Sequence, residues 1–464
     1  MTSTPISEIP GLVERVRQGF ADSLLSTRER RETELRPLRR FLTEAEDDLV
    51  AALHDDLGKP RIEAYTTEIG FTIGEIDHVL DHLEDWMTPT RVKVPLKLRP
   101  GSARLEPQPL GTVLVIAPWN YPVQLVLAPL VAAIAAGNTA VVKPSEVAPA
   151  TAALLARRLN DYVDPRIVAV VTGAVDETTA LLEERFDHIF YTGNGTVARV
   201  VMHAAAEHLT PVTLELGGKS PVIVTAPTDV TVAARRIAWG KFVNAGQTCV
   251  APDYVLVDRQ VEPAFIEALG TAIVGFYGSD PSASPDYARI VNERHHDRLT
   301  ALLDGQGYDS IASGGQHDRA RRYIAPTVLR GVTAEAAVMS EEIFGPILPV
   351  LAVDGADAAV EFVNERPAPL ALYAFTDDDG VQQRIVDHTA AGGVTINHTL
   401  LHLAVNELPF GGVGPSGMGA YHGKFGFDVF THHKPVLTKR SKPDPSLMYP
   451  PYGRLKQRIL RRAL

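Results

Sequence analysis

The sequence predicts an α/β protein made of two sheet-and-helix units and a small third unit of strands, and three observations carry that prediction. From residue 111 short apolar runs alternate with helical segments, the rhythm of a parallel, doubly wound sheet. A second alternation begins at about Val212 and runs to about 410, punctuated by the glycine-rich stretch Pro409–Gly419. Two strand-like segments, Val92–Leu98 and Phe427–Leu437, stand outside both units and are suited to pair as a bridging or oligomerisation subdomain. A chain of 464 residues also exceeds the size at which single cores stop growing.

The elements follow in order. Residues 5 to about 60 are charged, helical in period and closed by Leu57-Gly58-Lys59-Pro60, which reads as an N-terminal helical arm, with a further helix over Glu63–Trp86. The first unit then reads as strand Val113–Ile116, helix Val123–Ala136, strand Ala140–Val142, helix Ala150–Leu159 and strand Ile167–Val171. Helix Glu177–Glu184, strand His188–Tyr191 and helix Thr196–His208 complete it. Sheets of this kind bind ligands at the carboxyl ends of their strands. The second unit includes Pro221–Val224, Val230–Phe242 and Tyr254–Val257. The apolar stretch Val113–Val142 is long enough to span a bilayer. However, Pro118, Pro122, Pro129, Asn120, Gln124 and Asn138 are costly in lipid, and Gly137-Asn138 reads as a helix stop. A buried strand, turn and core helix is expected there.

Composition narrows the function. The 45 basic and 56 acidic residues leave a formal charge of −11, which argues against a nucleic-acid surface. One cysteine forms no intrachain disulfide, so nothing demands an oxidising compartment. Met1–Pro10 lacks the basic and apolar regions of a signal peptide, and a cytoplasmic location is expected. No metal ligands are assigned.

That cysteine, Cys249, closes Asn244-Ala245-Gly246-Gln247-Thr248-Cys249. By itself it is either a small buried hydrophobe or a nucleophile. Gly193, Gly195 and Ala198 in Tyr191–Ala198 satisfy a G-x-G-x-x-A pattern between a strand and a helix, which lets a backbone approach a pyrophosphate. The pattern also wants an acid about 20 residues on, and Glu215 lies near that spacing. Yet Glu215, in Leu214–Pro221, sits between apolar neighbours, where a carboxylate gains a raised pKa and acts as a base. The bland reading of Glu215, a strand-end acid, stands beside both. Pro118-Trp119-Asn120-Tyr121-Pro122 ends the first strand of the unit and offers either an oxyanion donor in Asn120 or an Asn turn. Lys143 and Glu146, in Val142–Glu146, are ribose ligands or a surface pair. Glu341–Pro346 joins acids to an aromatic in a loop and says little alone.

In order, PWN, VKPSE, ELGGKSP, GQTC, EEIFGP and PFGGVGPSGMG resemble the aldehyde dehydrogenase superfamily, and within it class 3, including fatty aldehyde dehydrogenases. The resemblance runs from LGKP and EAYTTEIG near 57–70 to Tyr449-Pro450-Pro451-Tyr452. It implies a Rossmann-type cofactor domain (1–85 with the arm, and 106–211) and an α/β catalytic domain (212–420). It also implies a bridging subdomain (86–105 and 421–445) and a basic tail (446–464). The activity it implies is oxidation of medium- or long-chain aliphatic or aromatic aldehydes to acids. Cys249 would form a thiohemiacetal and then a thioester, Asn120 and the Cys249 N–H would hold the oxyanion, and Glu215 would activate the hydrolytic water. Implied cofactor contacts are Trp119, Lys143, Glu146, Gly193, Asn194, Glu342 and Phe344. Glu146 favours NAD by repelling a 2′-phosphate, with NADP the alternative. A homodimer is also implied.

Departures from class 3 are Ala198-Arg199 in place of glycine–lysine, Gly195 where threonine is frequent, and His398 where an acid is common. Rival readings are a reductive acyl-phosphate or semialdehyde dehydrogenase and a non-catalytic nucleotide-binding scaffold; Cys249, Asn120 and Glu215 together argue against the scaffold. In the tail Leu455, Ile459 and Leu460 share a helical face among basic residues. A solvated or gate-like helix is expected, because single short basic helices bind membranes weakly; an interfacial helix on anionic lipid is the alternative.

Overall fold

The computed structural model describes residues 3–444 and 446–463. Met1, Thr2, Pro445 and Leu464, at the edges of the expected arm, bridge and tail, lie outside the described residues. The first sheet runs Gly417–Met418, Val212–Glu215, His188–Thr192, Thr112–Ile116, Thr139–Lys143, Val168–Val170. All its neighbours are parallel except Gly417–Met418, which runs antiparallel to Leu214 and Glu215. The second unit was expected to begin at about Val212. Instead Val212–Glu215 closes the first sheet, because Thr192 pairs with Glu215 in register, and the second sheet starts at Pro221.

That second sheet runs Ser310–Ser313, Thr327–Arg330, Ile347–Val353, Tyr254–Asp258, Pro221–Val224, Ala371–Phe375, Gly393–Ile396. Only Ser310–Ser313 is antiparallel to its neighbour. The central strands are buried on both faces, as near-continuous Val, Ile and Leu runs require.

The apolar stretch folds as expected for a core. Helix Gln124–Ala136 is buried at every residue and ends at Gly137 (φ 93°), a left-handed cap that only glycine adopts easily. Asn138 then bonds Gly111 N–H at 2.8 Å and the Phe430 carbonyl at 2.9 Å, tying the turn to the bridge. No helix among the described residues is long and apolar enough to cross a membrane.

The bridging sheet joins Thr90–Val92, Ser102–Pro109 and Thr431–Thr438, all antiparallel. The expected partner of the terminal strand was Val92–Leu98. Pro95 breaks that segment, Leu96–Leu98 makes a single 3-10 turn, and Ser102–Pro109 takes the pairing over its whole length. Phe427–Val429 was also read as strand but belongs to helix Gly423–Val429, which seats Gly426 against Ala132.

In the arm, helices Ile9–Ala21, Arg28–Glu44 and Glu46–Leu57 are followed by Arg61–Ala64, a π-turn at Tyr65–Ile69 and helix Gly70–Met87. The single helix expected over Glu63–Trp86 is therefore interrupted. Thr66 and Thr67 bond back to the carbonyls of Ile62 and Glu63 at 2.8 and 2.7 Å, side-chain bonds that compete with the regular ladder. Helix Arg454–Ala463 ends the described chain with Leu455 and Ile459 exposed.

Candidate active site

Four adjacent parallel strands of the first sheet deliver candidate residues at their carboxyl ends. Asn120 follows Thr112–Ile116, Lys143 ends Thr139–Lys143, Gly193 follows His188–Thr192 and Glu215 ends Val212–Glu215. Lys143 is buried and donates to Glu146 at 2.8 Å. The Gly193 N–H donates to the Glu215 carbonyl at 2.9 Å, and a Cβ at Gly193 would lie 2.3 Å from the Tyr191 hydroxyl. Asn194 caps helix Gly195–His208 by accepting from Thr196 and Val197 N–H, each at 3.0 Å. The glycine pattern is thus a capped helix start. Ala198 is buried within the core beneath it, and a Cβ at Gly195 would meet only Arg199 Nη1, at an ordinary 3.7 Å.

The opposite wall comes from the amino ends of the second sheet. Cys249 lies between helix Val230–Phe242 and strand Tyr254–Asp258. Its approach passes through Asn244, Ala245 and Gly246 at φ 52°, 50° and 74°, three successive left-handed residues. Side chains hold this costly path. The Asn244 N–H donates to Glu63 Oε1 at 2.8 Å, and Asn244 Nδ2 donates to the carbonyls of Asn120 and Gln247 at 2.9 and 3.1 Å. Gln247 Nε2 donates to the Asn244 and Arg289 carbonyls, while its Oε1 accepts Val291 N–H at 2.9 Å. On either side of Cys249, Thr248 and Tyr121 share a hydroxyl–hydroxyl bond of 2.6 Å and Tyr373 donates to the Val250 carbonyl at 2.6 Å.

Cys249 feels the charges of both Glu342 and Glu215. Burial, and after it the charges of Glu342 and Glu215, push the partly exposed Cys249 thiol up to about 12. Burial alone raises Glu215 well above the carboxylate range, and neither of its oxygens has a hydrogen-bond partner. Glu342 rises to about 8, through burial first and then Asp253, and its Oε1 is buried without a partner. Burial therefore disfavours the ionised forms of the thiol and of both acids. Trp119 meets Phe344 edge-on at 5.3 Å, which joins the two walls. Lys143, Glu146 and Asn194 serve other strand ends of the same edge. His398 packs on Trp239 in a surface groove of about 380 Å³ with Arg235, Arg236 and Phe276; Cys249 is not among its walls.

Several residues of the site escaped the sequence reading. Lys59 was read only as part of the closing Leu57-Gly58-Lys59-Pro60, yet it is fully buried with Glu68. Glu63, Asn244 and Gln247 bond only across long sequence separations or within an irregular loop, where periodicity gives no signal. A fully buried asparagine–glutamine pair flanking the sole cysteine was the one available hint.

A partly exposed thiol, a buried unpartnered acid and a capped helix start thus lie at the edges of two mainly parallel sheets, the architecture of a dinucleotide-binding α/β enzyme. The chain belongs to the aldehyde dehydrogenase family, whose family model matches residues 7–436, and it is an NAD(P)-dependent oxidoreductase that oxidises aldehydes. It is 48% identical over 446 residues to "Aldehyde dehydrogenase family 3 member A2" of Macaca fascicularis, covering 96% of this chain and 91% of that protein. It is 45% identical to "Aldehyde dehydrogenase, dimeric NADP-preferring" of Canis lupus familiaris, covering 96% and 98%. Among solved structures, "Substrate bound state of Staphylococcus Aureus AldH" superposes with TM-score 0.95 at 45% identity, covering 98% of this chain and 99% of that one. The class 3 resemblance holds.

Proposed function

We propose that Cys249 is the nucleophile, Asn120 the oxyanion donor and Glu215 the general base in the oxidation of apolar, medium- or long-chain aliphatic or aromatic aldehydes. The observation that carries this reading is Glu215, whose two oxygens are buried without partners and whose charge is felt at Cys249. Attack of Cys249 Sγ on the aldehyde carbon makes a thiohemiacetal. The Asn120 side-chain amide and the Cys249 N–H hold its oxygen; among the described residues no protein group bonds that amide, while the Asn120 carbonyl is fixed by Lys59 and Asn244. When bound, the dinucleotide supplies a hydride acceptor. The Glu215 carboxylate then takes a proton from water as its oxygen bonds the thioester carbon; the C–S bond breaks, the Cys249 sulfur leaves as thiolate, and the proton held by Glu215 returns to it as the carboxylic acid is released. A raised pKa suits that role, because a carboxylate of higher pKa is the stronger base.

The residues fit a dinucleotide. The orphaned Glu342 Oε1 wants a donor such as the nicotinamide ribose hydroxyl, Lys143 and Glu146 would take the adenine ribose, and Gly193 and Asn194 would lie near the pyrophosphate. Trp119 and Phe344 would flank the nicotinamide side. The Lys143 partner offsets part of the Glu146 charge, so NAD is preferred and NADP accepted. Tyr121 and Tyr373 bond the neighbours of Cys249 on either side, Thr248 and Val250, and bring aromatic rings to this loop that suit apolar aldehydes. A homodimer is supported by the open edge of Thr431–Thr438 in the bridging sheet, which a second copy would cover. Purified protein should reduce NAD with hexanal, dodecanal or benzaldehyde, more slowly reduce NADP, and lose at least ~10⁴-fold of its turnover in Cys249→Ala. Retention of activity by that variant would overturn the assignment.

A further inference from the structure

Beneath the turn that carries Asn120 lie two buried ions that the chemistry does not itself use. Lys59 and Glu68 are both 0% exposed and pair with each other. Lys59 Nζ also donates to the Asn120 carbonyl at 3.2 Å and lies 4.2 Å from the centre of the Tyr121 ring. Glu68 Oε2 accepts Val123 N–H at 2.8 Å and Gln124 N–H at 3.3 Å. The pair therefore grips the turn at both ends. Stability alone gives no reason for it, since a well-packed apolar pair often replaces a buried ion pair without loss. What an apolar pair cannot do is bond one carbonyl and two N–H groups of an irregular turn at once.

We propose that Lys59 and Glu68 are positioning residues for the oxyanion site. They fix the main chain on either side of Asn120 so that its unpartnered side-chain amide is held where charge develops. The same carbonyl receives Asn244 Nδ2 at 2.9 Å, and the Asn244 carbonyl in turn receives Gln247 Nε2 at 2.9 Å, two residues before Cys249. One post thus registers both donors of the site, the Asn120 amide from the first sheet and the Cys249 N–H from the second. The π-turn at Tyr65–Ile69 is what carries Glu68 to this place. The proposal rests on the reading of Asn120 as an oxyanion donor.

The test is the double variant Lys59→Met/Glu68→Gln, which removes both charges, keeps an acceptor for the two N–H groups and drops the bond to Asn120. Its thermal midpoint and cofactor KM should stay near wild type, while the pre-steady-state rate of thioester formation falls about 10- to 100-fold, as small misplacements of catalytic groups do. Asn120→Ala should lower that rate by roughly 10²–10³-fold. Adding the double substitution to Asn120→Ala should lower it no further, because the pair acts through the group already removed. A wild-type rate in the double variant beside a slow Asn120→Ala would overturn positioning and leave the pair a structural feature. Effects that multiply in the combined variant would overturn it too, since the pair would then act elsewhere. A fast Asn120→Ala would remove the oxyanion reading and the proposal with it. If the double variant does not fold, Glu68→Gln alone is read the same way, with a smaller fall and the same loss of effect in Asn120→Ala.

Discussion

On one wall of the cleft, Asn120, Lys143, Gly193 and Glu215 leave four adjacent parallel strands at their ordinary carboxyl ends. On the other, Cys249 is reached through three consecutive left-handed residues and held by bonds from Glu63, Asn120, Arg289 and Val291, which lie far away in sequence. The repeat of the fold places Lys143, Gly193 and Glu215 directly, and Asn120 with the added hold of Lys59 and Glu68 on its turn. The second wall is placed against local backbone preference, by the side chains of Glu63, Asn244 and Gln247. Substitutions on the two walls should therefore fail differently: chemistry lost with the fold intact on the first, chemistry and stability lost together on the second.

The largest effect that tests this contrast is at Glu215. Its main chain is fixed on both sides, by Thr192 and by Gly417, so Glu215→Gln should fold as wild type. Steady-state turnover should fall by roughly 10²–10⁴-fold. A burst of reduced cofactor should survive, because the thioester still forms and then waits for water. Absence of the burst would place Glu215 in the first half of the reaction.

Next comes Gly246→Ala, on the strained wall. At φ 74° an added Cβ would also stand 2.3 Å from the Gly345 carbonyl, where the Cys249 loop meets the Glu341–Pro346 loop. A loss of about 3 kcal/mol in unfolding free energy is expected, together with lost activity. A stable, active Gly246→Ala would mean that the loop relaxes freely and that its strain is not what places Cys249.

The same contrast explains what the sequence made legible. Strand-end residues were readable because period and turn chemistry locate them: Lys143 ends an apolar run, and Gly193 opens a helix that Asn194 caps. Lys59 and Glu68 were not, because a cation after a helix-stop glycine looks solvated, and the π-turn that rotates Glu68 inward leaves the apolar pattern almost unchanged. The unit boundary was misplaced for a related reason. Val212–Glu215 reads equally well as the last strand of one sheet or the first of the next, and only its register with Thr192 decides. Pairing in the bridge likewise depended on a choice between two nearby segments, made by Pro95.

A smaller effect concerns the pH dependence of the thiol. With its pKa raised to about 12, Cys249 is thiolate only as a minor form at neutral pH, and that form grows with pH. Alkylation of the free enzyme by iodoacetamide should accordingly rise about tenfold per pH unit through the mildly alkaline range. Glu342→Gln removes the carboxylate that opposes the thiolate most strongly, so the thiolate becomes easier to form and alkylation is faster, up to about tenfold, at each alkaline pH. No change would mean that burial alone sets the thiol.

The smallest effect is at Gly195, the counterpart of Gly246 on the unstrained wall. It is the first residue of helix Gly195–His208, its φ lies outside the left-handed region, and the nearest atom to an added Cβ is 3.7 Å away. Gly195→Ala should therefore stabilise the fold by about 0.4–1 kcal/mol, since it removes unfolded-chain freedom without strain. The same variant separates two uses of the glycine. A backbone that must approach a pyrophosphate closely would lose cofactor affinity to the methyl group while gaining stability. A glycine that merely starts a helix would gain stability with cofactor KM unchanged. Destabilisation as large as that of Gly246→Ala would break the contrast itself, because the repeat-built wall would then depend on backbone freedom as much as the strained one does.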